Sequence, residues 1–209
     1  MKAAVGAVAL FSASPLSTAN ADDLLSGSYI GAFAGGVYAH SDFRVPARTL
    51  RTTGDVSITV PSMQVDHLGG VGGIVGLRAG YGALYSSGVY LGIEAEFTYP
   101  LGVDVEISGG GMRYRASLDA EYAAFLRAGW SWDAKTLLFL RGGVIVPRQI
   151  IDHTSDTEKR WSPSPAVGVG VEHSLDQKYS LRLDITYSAA METYQLATAR
   201  ALISFARRF

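Results

Sequence analysis

Apolar and polar residues alternate with a period of two through most of this 209-residue chain. Between positions 181 and 187, the odd positions carry Leu, Leu, Ile and Tyr, and the even positions carry Arg, Asp and Thr. Successive side chains of a strand point to opposite faces, whereas a helix would repeat its apolar residues every 3.6 positions. The pattern therefore predicts an all-β chain whose strands each have one apolar and one polar face.

The alternation also predicts how many strands there are and how they are joined. Short connections follow the second, fourth and sixth strands, and long ones follow the first, third and fifth, with 40–69 the longest. Prolines after position 40 fall in long connections or at strand ends, where no ladder hydrogen bond from the backbone N–H is required. The eight predicted strands are 29–39, 70–81, 88–99, 114–131, 137–147, 165–174, 179–188 and 195–209.

Composition bears on which solvent meets the apolar faces. Hydrophobic residues make up 48% of the chain and charged residues 18%. The longest apolar run, 3–11, falls short of the roughly 20 residues that a membrane-spanning helix needs. A soluble β-sandwich is one arrangement that such strands allow, with apolar faces inward. A membrane barrel is the other, with apolar faces toward lipid and polar faces toward a closed lumen.

The residue types on the polar faces favour the barrel. They are rich in Gly, Glu, Asp and Arg, whereas the four lysines lie at position 2, in connections, or in short turns. Enclosed faces prefer Arg, because its planar fork pairs with carboxylates. Tyr and Trp residues also gather at the strand ends, as interfacial girdles do. A chain of strands in lipid must close on itself to satisfy its backbone, so we expect a closed antiparallel transmembrane β-barrel of about eight strands in meander order.

The predicted inward charges nearly balance, six carboxylates against five arginines. A paired internal network needs such a balance, since an unpaired buried charge is costly. The expected structural lumen network consists of Glu94, Glu96, Asp119, Glu121, Glu172, Asp184, Arg78, Arg127, Arg141, Arg182 and Arg200.

The first 21 residues have the features of a secretory signal peptide. Lys2 supplies a positive start, 3–11 is a compact apolar stretch, and Ala19-Asn20-Ala21 places small residues where a cleavage site requires them. We therefore expect domain 1–21 to be a removed signal and domain 22–209 to be the barrel. A short N-terminal helix packed on a domain is the alternative.

Several segments resemble a known family. The opening Gly-Ser-Tyr-Ile-Gly-Ala-Phe-Ala-Gly-Gly at 27–36, the blocks 166–173 and 180–187, and 136–144 are similar to strands of small eight-stranded outer-membrane barrels of the OmpA-like, opacity-protein and immunogenic-protein type. The resemblance implies the Gram-negative outer membrane as location, and outer-membrane lipid and the barrel-assembly machinery as partners. The terminal Phe209, with Phe205 and Ile203 at alternating positions, resembles the assembly signal of that family, although Arg207 interrupts the run.

No pattern for catalysis or for a cofactor emerges. The chain has no Cys, which excludes disulfides and thiolate metal sites, and its net charge of −1 offers no footprint for nucleic acid. His40, His67 and His153 are expected toward the long-loop side without metal-ligand spacing, and His173 at the short-turn side. His153 and Ser155 form an H-x-S that resembles the core of lipid A deacylase motifs, but the flanking residues differ.

Three functional hypotheses follow from this sequence. The first is a structural or surface-interaction barrel, with a lumen plugged by Arg–carboxylate pairs and possible recognition of an extracellular ligand or host surface through 40–69, 101–112 and 148–164. Eight strands enclose a space only just wide enough for side chains, which favours this hypothesis. The second is a narrow porin-like channel for small solutes. The third is a lipid A-modifying enzyme.

Overall fold

The structure, a computed structural model, describes residues 24–45, 48–51, 57–60, 63–109, 112–152, 157–189 and 197–209. Side chains are described within 24–40, 69–103, 117–148, 161–189 and 197–209. The predicted signal peptide, 1–21, lies outside these ranges. The described strands are β1 (Gly27–Val45), β2 (Arg48–Arg51), β3 (Ser57–Val60), β4 (Met63–Leu84), β5 (Val89–Leu101), β6 (Asp104–Gly109), β7 (Met112–Ser131), β8 (Thr136–Asp152), β9 (Thr157–Trp161), β10 (Ser164–Ser174), β11 (Tyr179–Ser188) and β12 (Ala197–Arg208).

Eight of these strands close into an antiparallel barrel. In chain order, β1, β4, β5, β7, β8, β10, β11 and β12 each pair with the next, and β12 returns to pair with β1. The prediction of an eight-stranded meander barrel is confirmed. No helix that is long and apolar enough to cross a membrane occurs among the described residues.

The barrel is inverted relative to a soluble protein, as the sequence predicts. On β7, Leu126 is 70% exposed, whereas its neighbour Arg127 is 1% exposed. On β11, exposed and buried residues alternate along the whole strand, with Leu and Ile outward and Arg and Asp inward. The apolar residues thus form the outer wall and the polar ones line the lumen.

The two ends of the barrel differ. At the short-turn end, four-residue connections at 85–88, 132–135 and 175–178 join neighbouring strands, and Asp133 and Asp176 accept backbone N–H groups within two of these turns. The exposed aromatics Tyr81, Trp130 and Tyr179 lie toward this end.

The long-loop end contains more regular structure than the sequence predicts. The sequence predicts loops at 40–69, 101–112 and 148–164, yet the strand pairs β1–β4 and β7–β8 continue into them, and β6 and β9 add further ladders. A separate hairpin, β2–β3, lies within 40–69. Cross-strand pairing supplies hydrogen bonds that the weak alternation of these segments does not reveal.

One register shift on β7 overturns part of the predicted alternation. Leu118 pairs with Gln149 and Glu121 with Pro147, so β7 holds one extra residue relative to β8. Such a bulge reverses the inward and outward order of the side chains on either side of it. Leu118, expected outward, is therefore buried, and Asp119 does not follow Glu121 into the lumen.

Candidate functional site: the barrel lumen

The lumen holds a dense set of charged side chains, each at most 5% exposed. Within the described part of the chain, five carboxylates and six arginines are buried in this way. We call this set the lumen network; it consists of Glu94, Glu96, Glu121, Glu172, Asp184, Arg78, Arg127, Arg141, Arg182, Arg200 and Arg208.

Glu94 occupies the centre of the lumen network. Its Oε2 accepts hydrogen bonds from Arg182 Nη1 and from the Tyr29 hydroxyl, both at 2.6 Å. Its Oε1 lies 3.2 Å from Arg141 Nη1, which donates also to Glu96 at 2.6 Å. Carboxylates that accept several charge-assisted bonds in this way are held in one orientation.

Arg141 and Arg78 tie the neighbouring carboxylates together. Arg141 Nη2 lies 2.8 Å from Asp184 Oδ1, and Arg78 Nη1 donates to Asp184 Oδ2 at 3.2 Å. Arg78 Nη2 lies 3.1 Å from Glu96. The contacts join side chains from β4, β5, β8 and β11, so they cross the lumen from wall to wall.

Two further groups extend the lumen network toward its ends. Toward the short-turn end, Glu172 accepts from Arg127 at 2.7 Å and from Arg208. Toward the long-loop end, Arg200 Nη2 donates to Glu121, with a shortest distance of 2.8 Å. Charges therefore occupy the lumen over most of its length.

Aromatic rings fill the space between the guanidinium groups. The Cζ of Arg127 and that of Arg182 lie 4.1 and 4.3 Å from the centroid of the Phe139 ring. The Cζ of Arg141 lies 4.3 Å from the Phe125 centroid. Because a guanidinium group is planar and weakly hydrated, it stacks on such rings without needing bulk water.

Inward glycines make room for these rings. A Cβ on Gly82 would collide with Tyr90, and a Cβ on Gly76 would collide with the Phe33 ring. The rings therefore lie directly against the backbone of the wall. The glycine richness of the inner face thus serves close packing and does not widen the lumen.

Buried apolar side chains lie at both ends of the lumen network. At the short-turn end, Leu25 packs with Tyr90, Leu137 and Phe139 and is fully buried. At the long-loop end, Val103 is 2% exposed. It belongs to a buried cluster whose members are Phe33, Val37, Ala39, Ile74, Val103, Leu118 and Leu202.

The structure brings ten of the eleven predicted network residues together, and Asp119 is the exception. Asp119 lies beside the β7 bulge and pairs with Arg148 at 3.2 Å, and the two side chains are 30% and 35% exposed. Sequence reasoning missed Arg208. The period of two could have identified Arg208 as inward, because it lies eight residues after Arg200 and therefore on the same face of β12.

The two histidines whose side chains the structure describes, His40 and His173, lie toward opposite ends of the barrel. His40 stacks against Tyr38 and Tyr187 on the outer wall, with ring centroids 5.8 and 6.4 Å away. His173 is exposed and its Nδ1 lies 3.1 Å from the Thr136 hydroxyl at the short-turn end. The side chains of His67, His153 and Ser155 lie outside the described residues. No cluster of three acidic or histidine side chains suited to a metal is found in the described ranges.

The residues expected to form an assembly signal all face outward. Ile203 and Phe205 are each 49% exposed, and Phe209 is 71% exposed. The Cζ of Arg207, the residue that interrupts the run, lies 5.0 Å from the centroid of the Phe209 ring. The three apolar side chains thus form an outward stripe at the end of β12.

Comparison with known proteins matches residues 3–209 to the model of the outer membrane protein beta-barrel domain family. The structure is similar to OprG of Pseudomonas aeruginosa (14% identity, TM-score 0.54, covering 88% of this chain and 96% of that one). It is also similar to Neisserial surface protein A (12% identity, TM-score 0.53, covering 88% of this chain and 98% of that one). A third similar structure is Ail of Yersinia pestis in complex with a heparin analogue (11% identity, TM-score 0.50, covering 88% of this chain and 100% of that one). No curated protein matches the sequence.

Proposed function

The chain belongs to the outer membrane protein β-barrel domain family and resides in the Gram-negative outer membrane, and from this premise we propose that it is a closed barrel that acts through its outward-facing loops. In such barrels short turns face the periplasm and longer loops face outside. The long-loop end is then extracellular. The role of the protein would be structural or in surface interaction, such as envelope integrity, antigenic display or adhesion.

The observation that carries this proposal is the filled lumen. Arg141 joins Glu94 and Asp184 on opposite walls through direct contacts of 3.2 and 2.8 Å, and the three side chains are at most 1% exposed. A conducting pore needs a continuous path of water, and an eight-stranded barrel has little space beyond its own side chains. The filled lumen therefore favours a function at the surface of the barrel over transport through it.

The extracellular end offers a surface of its own. The β1–β4 ladder, β6 and β9 extend the barrel sheet beyond the predicted strands, and the β2–β3 hairpin adds a separate two-stranded sheet. Loops on a rigid scaffold are the usual place for recognition. We propose that these extensions present the surface that contacts an extracellular ligand or a host surface.

Two assignments accompany the proposal. The outward stripe of Ile203, Phe205 and Phe209 would be read by the barrel-assembly machinery, and residues 1–21 would be removed as a signal peptide. No catalytic role is assigned.

Single-channel recording in a planar lipid bilayer tests the closed lumen. The refolded protein, with folding verified by heat-modifiable gel mobility, is expected to give no steady openings. Steady openings whose ion selectivity changes in Glu94→Gln would contradict the proposal and make the barrel a channel.

The channel remains the second candidate because of one observation. Arg78 Nε, Arg127 Nε and Arg182 Nη2 are buried donors without a protein partner in the described structure. Buried donors of this kind are commonly satisfied by water. A file of such waters would make a narrow path for small solutes, which the recording would detect as openings of low conductance.

A further inference from the structure

The short-turn mouth of the barrel is closed by the chain itself. Residues 24–26, which we call the N-terminal latch, precede β1 and fold across this mouth. Leu25 is 0% exposed and packs with Tyr90 of β5 and with Leu137 and Phe139 of β8. A three-residue segment with no ladder of its own thus occupies an apolar pocket inside the barrel.

Hydrogen bonds from three other strands hold the latch. Arg208 Nη1 donates to the Leu25 carbonyl at 2.6 Å, and the Ser174 hydroxyl donates to the Leu24 carbonyl at 3.1 Å. The backbone N–H of Leu84 donates to the Ser26 hydroxyl at 2.9 Å. The latch therefore contacts β4, β5, β8, β10 and β12, which lie around the whole mouth.

Residues 24–26 lie outside the ladders that close the barrel. The seam between β1 and β12 is held by its own ladder, and the Phe209 N–H donates to the Ser28 carbonyl at 2.9 Å. Gly27, with φ of 110°, turns the chain from the latch into β1. Lifting residues 24–26 breaks no ladder pair.

We propose that the N-terminal latch is a detachable lid on the periplasmic mouth, and that it controls the access of water to the inner end of the lumen network. When the latch is docked, Arg208 links the Leu25 carbonyl to Glu172, the Ser180 hydroxyl donates to Glu172 at 2.9 Å, and both Glu172 and Ser180 are buried. When it is lifted, the Leu25 pocket opens and exposes them to solvent. The proposal concerns the short-turn end alone. Its test is therefore independent of whether the long-loop end has a surface role.

Cysteine accessibility tests the latch directly, because the chain contains no cysteine. Ser180→Cys is a nearly isosteric reporter, since Ser180 is 1% exposed and pairs in the ladder with Ser174. Ser87→Cys, at an exposed turn position of the same end, reports full access. The probe is the water-soluble reagent 2-sulfonatoethyl methanethiosulfonate, applied to the folded protein in detergent.

The latch is released by Leu25→Asn, and the matched control is Leu175→Asn, the same change at a 51% exposed turn residue of the same end. We expect Ser180→Cys to react slowly, and Leu25→Asn to accelerate the reaction by about tenfold or more, the change that about 1.4 kcal/mol produces. Leu175→Asn is expected to leave the rate unchanged. Heat-modifiable mobility establishes folding, and Leu25→Ala serves if Leu25→Asn fails to fold.

Two results would overturn the proposal. One is a Ser180→Cys reaction as fast as that of Ser87→Cys in the latched protein. The other is an acceleration by the Leu25 variants no greater than that by Leu175→Asn.

Discussion

At the residue scale, Arg141 shows how one side chain is fixed inside the lumen. It contacts Glu94, Glu96 and Asp184 within 3.2 Å, and its Nε donates to the Thr186 hydroxyl at 2.8 Å. A buried guanidinium group is stable only where opposite charges and hydrogen bonds replace the water that it has lost. Its stability in this position thus depends on the carboxylates around it.

Replacing Arg141 is expected to destabilise the barrel strongly. Arg141→Met should lower the free energy of unfolding by about 3 kcal/mol, the lower end of the range for breaking a buried ion pair. The lower end applies because the three carboxylates each retain another arginine, Arg182 or Arg78. The measurement is the temperature at which the folded band disappears in a heat-modifiable gel, together with denaturant unfolding.

Arg148 provides the matched control for that change. It pairs with Asp119 at 3.2 Å, but about a third of each side chain is exposed. Exposed pairs contribute about 0–1 kcal/mol. Equal losses for Arg141→Met and Arg148→Met would show that Arg141 is not part of a buried network.

At the element scale, the short turns depend on aspartate caps. The Asp133 carboxylate accepts the backbone N–H groups of Lys135 at 2.7 Å and Thr136 at 2.6 Å, and the Thr136 hydroxyl at 3.0 Å. Asp176 accepts two N–H groups in the same way in the turn between β10 and β11. These caps set where β8 and β11 begin.

The Asp133 cap should make turn stability depend on pH. The N–H of Lys135, followed by the contacts with Thr136, lowers the pKa of this carboxyl below its ordinary value of 3.8. The charged form is therefore favoured in the folded state. The cap's contribution is fully present above pH 3.8 and is lost as the pH falls through the lower folded pKa.

We accordingly expect Asp133→Ala to unfold faster than the wild type at pH 7, with the ratio of the two rates approaching one in strong acid. Unfolding rates followed by tryptophan fluorescence between pH 7 and pH 2 give this ratio. Asp176→Ala should behave alike, since the N–H of Lys178 lowers the pKa of Asp176. A ratio that does not change with pH would refute the capping role.

At the scale of the whole molecule, scaffold and recognition are separable. The lumen network and the closed ladder lie in the barrel, whereas the β2–β3 hairpin pairs only with itself in the described structure. Val45 and Met63, which flank it, are ladder partners in β1 and β4. A two-residue turn can join antiparallel partners of this kind.

Excising 46–62 and joining Val45 to Met63 through Asn-Gly should therefore leave the barrel intact. We expect the variant to keep its heat-modifiable mobility and, like the wild type, to give no channel openings in a bilayer. It should lose any surface binding that the wild type shows to extracellular ligands or host cells. The binding comparison uses cells that display equal amounts of the two proteins. A chain that no longer folds would show that the hairpin belongs to the scaffold.

The alternation alone specifies the class of fold, the eight strands and the face that meets lipid, because it is a local property that each strand carries separately. It also placed Arg127 and Arg182 inside, since their positions follow the same period. The register could not be read in this way. The extra residue between Leu118 and Glu121 reverses the alternation, and only pairing with β8 shows that Asp119 leaves the lumen.

Which charges meet, and how Leu25 comes to be buried at the short-turn mouth, follow only from the closed barrel. Contacts such as that of Glu94 with Arg182 join residues 88 positions apart, and their pairing depends on how the ladder staggers around the barrel. The burial of Leu25 depends on side chains that come from β5, β8 and β12. Such long-range contacts arise only once the sheet has closed, and no local period in the chain encodes them.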